Sequence, residues 1–453
     1  MGTLFTSLLN STSALQVFGR SLDVIQNNIS NANTPGYAKQ SQSLIAAPFD
    51  PHAGFTGGVI AGPVISARSE FLEQAVRAQQ EALGFAGQKA GDLGLIEPLF
   101  DLTSDSGLSG AINKLFDSFS QLSVSPNDAV ARQSVIDQAA QTAQSFQQTA
   151  LGIAQVSDNI VSQTRDTVTA INRIGAQLAD FNKLFRANSE NAENAGIDAL
   201  VHTALEELSG LANFTLVKSN DGSLNVYLGG QTPLVTGDHQ FAVSADFSSP
   251  QTVIRDSQGN DITAQISGGS LGALMEERNS VLPGYLNSLN TLARTLADQV
   301  NATLAQGVDQ NGATPAVNLF TYDQAADAAS TLRVSGITPD QIAAALPNAP
   351  GGNGNAIALA QLANAPLVQG FTFIQAYGNL GAQVGRDVAS AKQDRGQRQD
   401  LLTQTRAMRS DATGVSLNEE AAKLLQFQQA YQAVGKLVGV LDGLTQTLMD
   451  IIQ

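Results

Sequence analysis

Apolar residues recur in sevens at both ends of the chain. Near the start, Leu8, Leu15, Leu22 and Ile29 repeat at heptad spacing, interleaved with Ser11, Phe18 and Ile25. These are a and d positions, with Ser11 the one polar intruder, and they predict a helix bearing a narrow apolar seam. Asn33-Thr34-Pro35-Gly36 ends it, because proline lacks a backbone donor and glycine accepts a turn. At the far end Leu424, Tyr431, Val438 and Ile452 occupy a, with Thr445 the polar exception, while Phe427, Val434, Leu441 and Leu448 fill d. Leu437, Leu444 and Ile451 lie at g and widen the stripe, as in a helix with more than one neighbour. Ser416, with Glu419 three residues on, reads as a capping box ahead of this second seam.

The middle of the chain changes period twice. No proline occurs from Asn127 to Thr232, and apolar positions from Val135 to Phe185 keep a helical spacing. A continuous helix over 129–186 would be roughly 85 Å long at about 1.5 Å per residue, the dimension of a rod. Between 211 and 267 the pattern shortens to strands at Phe214–Val217, Leu224–Leu228, Phe241–Val243 and Thr252–Ile254, with turns at Asn220–Ser223 and Asp256–Asn260. Helix returns at Leu271, gives way to a Gly-, Pro- and Asn-rich stretch over 306–366, and resumes from Phe371. The expected fold is mainly α with a small β insert, an elongated multi-domain rod. Its N- and C-terminal helices (1–60 and 405–453) form a coiled-coil terminal domain. A helical middle domain covers 61–210 and 268–404, and an antiparallel β domain is inserted at 211–267. The chain runs out and back, so the two seams should meet.

Composition narrows the functional classes. Twenty-four basic residues against forty acidic ones give a net charge of −16, with no basic cluster, which argues against nucleic acid or an anionic membrane surface as partner. The absence of cysteine removes disulfides, thiolate metal sites and a cysteine nucleophile together. The N-terminus has neither a basic n-region nor a continuous apolar core, so export, if it occurs, is expected without a cleaved Sec leader. His52, His202 and His239 are scattered, and Glu276-Glu277 are helix neighbours that do not face each other. Gly351-Gly352-Asn353-Gly354-Asn355 lacks the lysine ending of a phosphate loop, and Asp309–Gly312 reads as a turn. No catalytic, cofactor or metal site is expected. The expectation is a non-enzyme.

Two segments resemble a known family. Asp23–Ala38, containing Asn28, Asn31, Asn33, Pro35, Gly36 and Tyr37, resembles the N-terminal signature of flagellar rod, hook and hook-associated proteins. Gly414–Ala422 followed by Gln428–Ala433 resembles the matching C-terminal end. Three further pieces favour the hook-associated branch: Ser267–Leu274 with Arg278 and Leu282-Pro283; Val300-Asn301 with Gly307, Asp309 and Gly312; and Gly352–Ala356. The resemblance implies a structural subunit of the hook–filament junction, exported by the flagellar type III route to the cell exterior. It implies a homo-oligomeric ring that meets hook protein, hook-associated protein 3 and an export chaperone. The apolar seam residues would be the assembly interface and the asparagine-rich segment the signature turn. Hook-associated protein 3 or a hook or rod subunit is the nearest alternative, the hook and rod subunits being disfavoured by the long proline-free helix; a secreted helical effector or adhesin is the remote one.

Overall fold

The computed structural model describes residues 2–50, 55–100, 107–188, 191, 194–315 and 317–452. The N-terminal seam lies on α1 (Gly2–Ser30), which ends at the asparagine-rich turn. A hairpin follows, β1 (Gln40–Ala46) antiparallel to β4 (Val59–Ser66), its tip formed by β2 (Phe49–Asp50) on β3 (Phe55–Thr56). No clean alternation announces this hairpin in the sequence, because Leu44-Ile45-Ala46 is apolar on both faces and a bulge shifts the register between Gln42 and Leu44. Next come α2 (Glu70–Ile96), α3 (Gly107–Val124), α4 (Ala129–Ala187) and α5 (Ala195–Leu211). The Asp128 side chain accepts from Val130 N–H to start α4, which runs unbroken for 59 residues.

The insert holds a sheet in the order β5 (Phe214–Lys218), β6 (Leu224–Leu228), β7 (Thr232–Thr236) and β8 (His239–Gln240), all antiparallel. A separate ladder pairs β9 (Ser244–Asp246) with β10 (Val253–Arg255). Two strand expectations shift. Phe241–Val243 is not a strand, and β7 contains Pro233, whose missing donor masks the strand in a sequence reading; the register is irregular just there, between Val226 and Tyr227 of β6. Helix returns as α6 (Gly269–Glu276), passes through a π-helical turn over Glu277–Val281, and continues as α7 (Leu282–Leu304). Short pieces follow: β11 (Phe320–Thr321), α8 (Ala328–Thr331), β12 (Arg333–Val334) and α9 (Gly354–Gln361). The chain closes with α10 (Phe373–Thr413), started by a capping box of Thr372 and Gln375, and α11 (Leu417–Ile452).

One continuous apolar core runs from Ala90 to Ala391 in sequence, and α4 is its spine, with Val135, Phe146, Ile160, Ile171 and Leu178 almost fully buried. The sheet belongs to that same core through Val226, Leu228, Leu234 and Val235, so the insert is separate in sequence but not in packing. Two asparagines of α4 imitate a neighbouring strand. Asn172 exchanges hydrogen bonds with the Val243 backbone at 2.8 and 2.9 Å, and Asn182 does so with Leu224 at 2.8 Å each way. Among the described residues, none of α1, the hairpin or α11 enters this core. The expected boundaries at 60 and 405 fall inside β4 and inside α10; the backbone breaks instead at Ala67–Ser69 and at Gly414–Ser416, where extended residues separate the elements. The terminal module is therefore drawn as 2–66 with 414–452.

Candidate assembly junction

α1 and α11 pack on each other antiparallel: the Phe18 and Phe427 rings lie 6.0 Å apart, Gly19 approaches Tyr431, and Asn28 meets Glu420. Asn28, fully buried, is the hub of the signature turn. Its Nδ2 donates to the Gln40 carbonyl (2.8 Å) and to Glu420 Oε2 (2.8 Å). Its Oδ1 accepts from Tyr37 Oη (2.9 Å) and from Gln40 N–H (3.0 Å). Burial, with Glu420 second, raises the Tyr37 phenol above its ordinary pKa and keeps it a donor. Asn31 folds back on Asn27 and accepts from Thr34, while Asn33 and Pro35 are exposed at the turn. The expected capping box is half made: Ser416 Oγ accepts from Glu419 N–H at 3.4 Å, but the Glu419 carboxylate turns to Lys39 and Lys423.

The turn also seats the terminal module on the rod. Gly36 has φ +74°, and a Cβ there would stand 2.5 Å from Thr203 Oγ1 and 2.6 Å from the Ala199 carbonyl of α5. Its own carbonyl accepts from Arg68 Nη2 at 2.6 Å. Arg68 pairs with Glu73 (2.5 Å) and Asp198 (2.7 Å), and Arg409 bridges Glu73 (3.0 Å) and Glu206 (2.8 Å). Arg406 adds to Glu206, and Arg77 to Glu70. Four cations thus face four carboxylates where α2, α5 and α10 meet the turn. His202 sits among them, its pKa lowered to about 2 by burial and then by Arg68, Arg77, Lys218 and Arg409, so it is a neutral spacer.

The seam residues divide by exposure. Ile25 and Leu441 are buried within the single chain. Leu8, Leu15, Phe18, Leu22, Ile29, Leu424, Phe427, Val434, Val438 and Leu448 are half-buried, and Tyr431 is exposed. The Ile452 side chain and His52 lie outside the described residues. Ser11 is buried, its hydroxyl donating to the Ser7 carbonyl at 2.8 Å, which explains how a polar residue occupies the seam. Large apolar side chains stand open at Phe5, Leu9, Leu425, Val440 and Met449, which the heptad reading missed, and at Leu437 and Leu444, which it placed at g. The widened g stripe was the signal for two of them.

Groups with chemical potential lie elsewhere and serve packing. Asn353 ties α9 to the Ser123 carbonyl, Asp309 accepts two backbone N–H groups of its own turn, and His239 sits exposed beside Asp238. Glu277 is the surprise: fully buried at the π-helical turn, it faces not Glu276 but Asp92 of α2, and burial followed by Asp92 pushes its pKa up to about 10. A cleft of about 430 Å³ between α7 and α10 is lined by amides, hydroxyls and Arg386, without carboxylate or histidine. Among the described residues no cluster of three or more His, Asp or Glu suits a metal ion, and no helix is long and apolar enough to cross a membrane.

A helical rod whose two chain ends are stapled together at a signature turn defines a class of structural, assembling subunit. Residues 93–320, half of the chain, match the family of the flagellar hook-associated protein FlgK helical domain, and residues 8–37 match the flagella basal body rod protein family. The chain belongs to the flagellar hook-associated protein FlgK family. It is 25% identical over 502 aligned positions to flagellar hook-associated protein 1 of Bacillus subtilis, covering 99% of both chains. It is 26% identical over 321 positions to the same-named protein of Salmonella typhimurium, covering 68% of this chain and 58% of that one. In fold it is similar to the flagellar hook junction protein FlgK of Burkholderia pseudomallei, with a TM-score of 0.67 at 18% identity, covering 76% of this chain and all of the other.

Proposed function

We propose that the chain is a structural subunit of the hook–filament junction, polymerising at the distal end of the hook as a ring that adapts it to the filament. The supporting observation is the separation of the terminal module from the core. Its helices pair with each other but contribute nothing to the central apolar cluster and leave large apolar side chains in water. Such faces are stable when neighbouring subunits cover them, which couples their ordering to assembly. Hook protein, hook-associated protein 3 and an export chaperone are the partners this role requires, and the location is extracellular, on the flagellum. The role is mechanical and needs no enzyme activity.

An in-frame deletion tests the reading. Cells should keep hooks, lack filaments and release flagellin into the medium. Normal filaments on the deletion strain would refute the assignment.

A further inference from the structure

The cleft between α7 and α10 lies outside the terminal module and plays no part in the assembly reading. Its volume, about 430 Å³, falls within the roughly 300–1,000 Å³ of small-molecule sites. Asn287 and Thr291 face it from neighbouring turns of α7, and Asn379, Gln383 and Arg386 from successive turns of α10. The Asn287, Asn379, Gln383 and Arg386 side chains form no hydrogen bond or ion pair among the described residues. The Ser288 and Thr291 hydroxyls donate to the Gly284 and Asn287 carbonyls (3.0 and 2.8 Å), which leaves their oxygens free to accept. A tight turn closes the site. Val368 and Phe371 exchange both backbone hydrogen bonds at 3.0 Å around Gln369 (φ +52°) and Gly370 (φ +89°). Gln369 is the one non-glycine at positive φ among the described residues, in a turn position that favours asparagine or glycine. This strained turn presents the Gln369 amide to the cleft and stands the Phe371 ring, 46% exposed, beside it.

We propose that this cleft binds a saccharide bearing a carboxylate. Each part of the lining matches one part of that ligand. The unpaired amides offer both donors and acceptors, as a run of sugar hydroxyls requires, and Phe371 offers a flat face to the C–H side of a pyranose ring. Arg386 is free to take the carboxylate, because its neighbour Asp387 is held by the Tyr285 hydroxyl at 2.7 Å. No acidic residue lines the cleft, although the chain has forty. A peptide would anchor through apolar side chains, but Val368 and Leu380 are buried and leave Phe371 as the one large apolar group on offer. Inorganic phosphate would engage Arg386 and leave the ring and the amides idle.

Calorimetric titration of the full-length chain tests this with trigalacturonate, its uncharged methyl ester, and sialyllactose as probes. At least one acidic sugar should bind, and which one binds distinguishes a uronic from a sialic source of the carboxylate. The ester should bind about tenfold more weakly than trigalacturonate if the uronic sugar is the ligand. R386Q should weaken the acidic sugar by about tenfold, and F371A should weaken acid and ester alike. Q369G keeps the turn, since glycine accepts its φ, and should weaken binding while the thermal midpoint holds or rises. Circular dichroism checks that each variant folds, and the exposed positions of all three make that the expected result. No binding of either acidic sugar at roughly 10 mM would overturn the proposal. So would undiminished binding by R386Q, or tighter binding of an acidic peptide such as Asp-Ser-Asp than of either sugar.

Discussion

Asn28 Nδ2 donates to Glu420 Oε2 across 2.8 Å, although 392 positions separate the two residues. The bond joins the N-terminal signature to the C-terminal one inside a buried site, so each motif is the other's hydrogen-bond partner. That relationship gives the paired signatures a physical reason: neither end can bury its polar hub alone.

Replacing Asn28 should therefore loosen the ends and spare the rod. N28A strips partners from the Gln40 backbone, Tyr37 and Glu420 together, and unsatisfied buried groups cost about 1–3 kcal/mol each. N28D keeps the size but sets a second carboxylate against Glu420 and should be worse. The check is hydrogen exchange: α1 and α11 should lose protection while α4 keeps its own. A matching loss in α4 would show that the ends and the core form one cooperative unit.

G36A attacks the seat of the module. The φ of +74° disfavours any side chain, and the Cβ would collide with the Ala199 carbonyl, which is backbone and cannot swing aside. The turn should lift from α5 and expose the Arg68–Glu73–Asp198 cluster. E73Q, which leaves Arg68 and Arg409 short of a counter-charge in a buried site, should lower unfolding free energy by about 3–5 kcal/mol. Urea denaturation of both variants measures this. An E73Q midpoint within error of wild type would mean the cluster is solvated rather than buried.

Glu277 sets a pH dependence of definite sign. Burial and the facing Asp92 hold its folded pKa at about 10, above the usual carboxylate value, so the folded state keeps a proton that the unfolded state has released. Stability is then full below the unfolded carboxylate pKa and declines as pH rises toward 10, by at most about 1.4 kcal/mol per pH unit. E277Q mimics the protonated acid and should flatten that decline. Thermal melts of E277Q and wild type should coincide near pH 4.5 and diverge in favour of the variant by pH 8. Parallel curves would place the proton elsewhere.

The sequence reading reached the long elements and missed the short-range geometry, for reasons visible in particular residues. α4 was legible because 59 residues keep one period without proline, and the terminal seams because their spacing is exact over several turns. The β1–β4 hairpin was hidden by its bulge, and β7 by Pro233. The signature turn was recognisable as a motif, yet its hub partner Glu420 could not be inferred from spacing, because α11 delivers it from the other end of the chain. Glu277 was judged against its sequence neighbour, whereas its true neighbour, Asp92, comes from another helix. Long-range side-chain pairs of this kind carry no periodic trace.

The last expectation concerns the isolated subunit. Its terminal helices are held by one polar hub at the Asn28–Glu420 end and by a half-covered seam beyond it, with Phe5, Leu9, Val440, Leu444 and Met449 open to water. Opening free energy should fall along the pair with distance from the hub. In a verified monomer, amides near Ile25 and Lys423 should exchange slowest. Those near Phe5 and Leu444 should exchange fastest, roughly 100-fold or more ahead of α4, which corresponds to about 2.8 kcal/mol. On assembly the gradient should vanish, because a neighbour supplies the missing cover along the whole seam. Uniform core-level protection of 5–30 and 418–452 in the monomer would show that the ends are complete without a partner, and the apolar faces would then need another explanation.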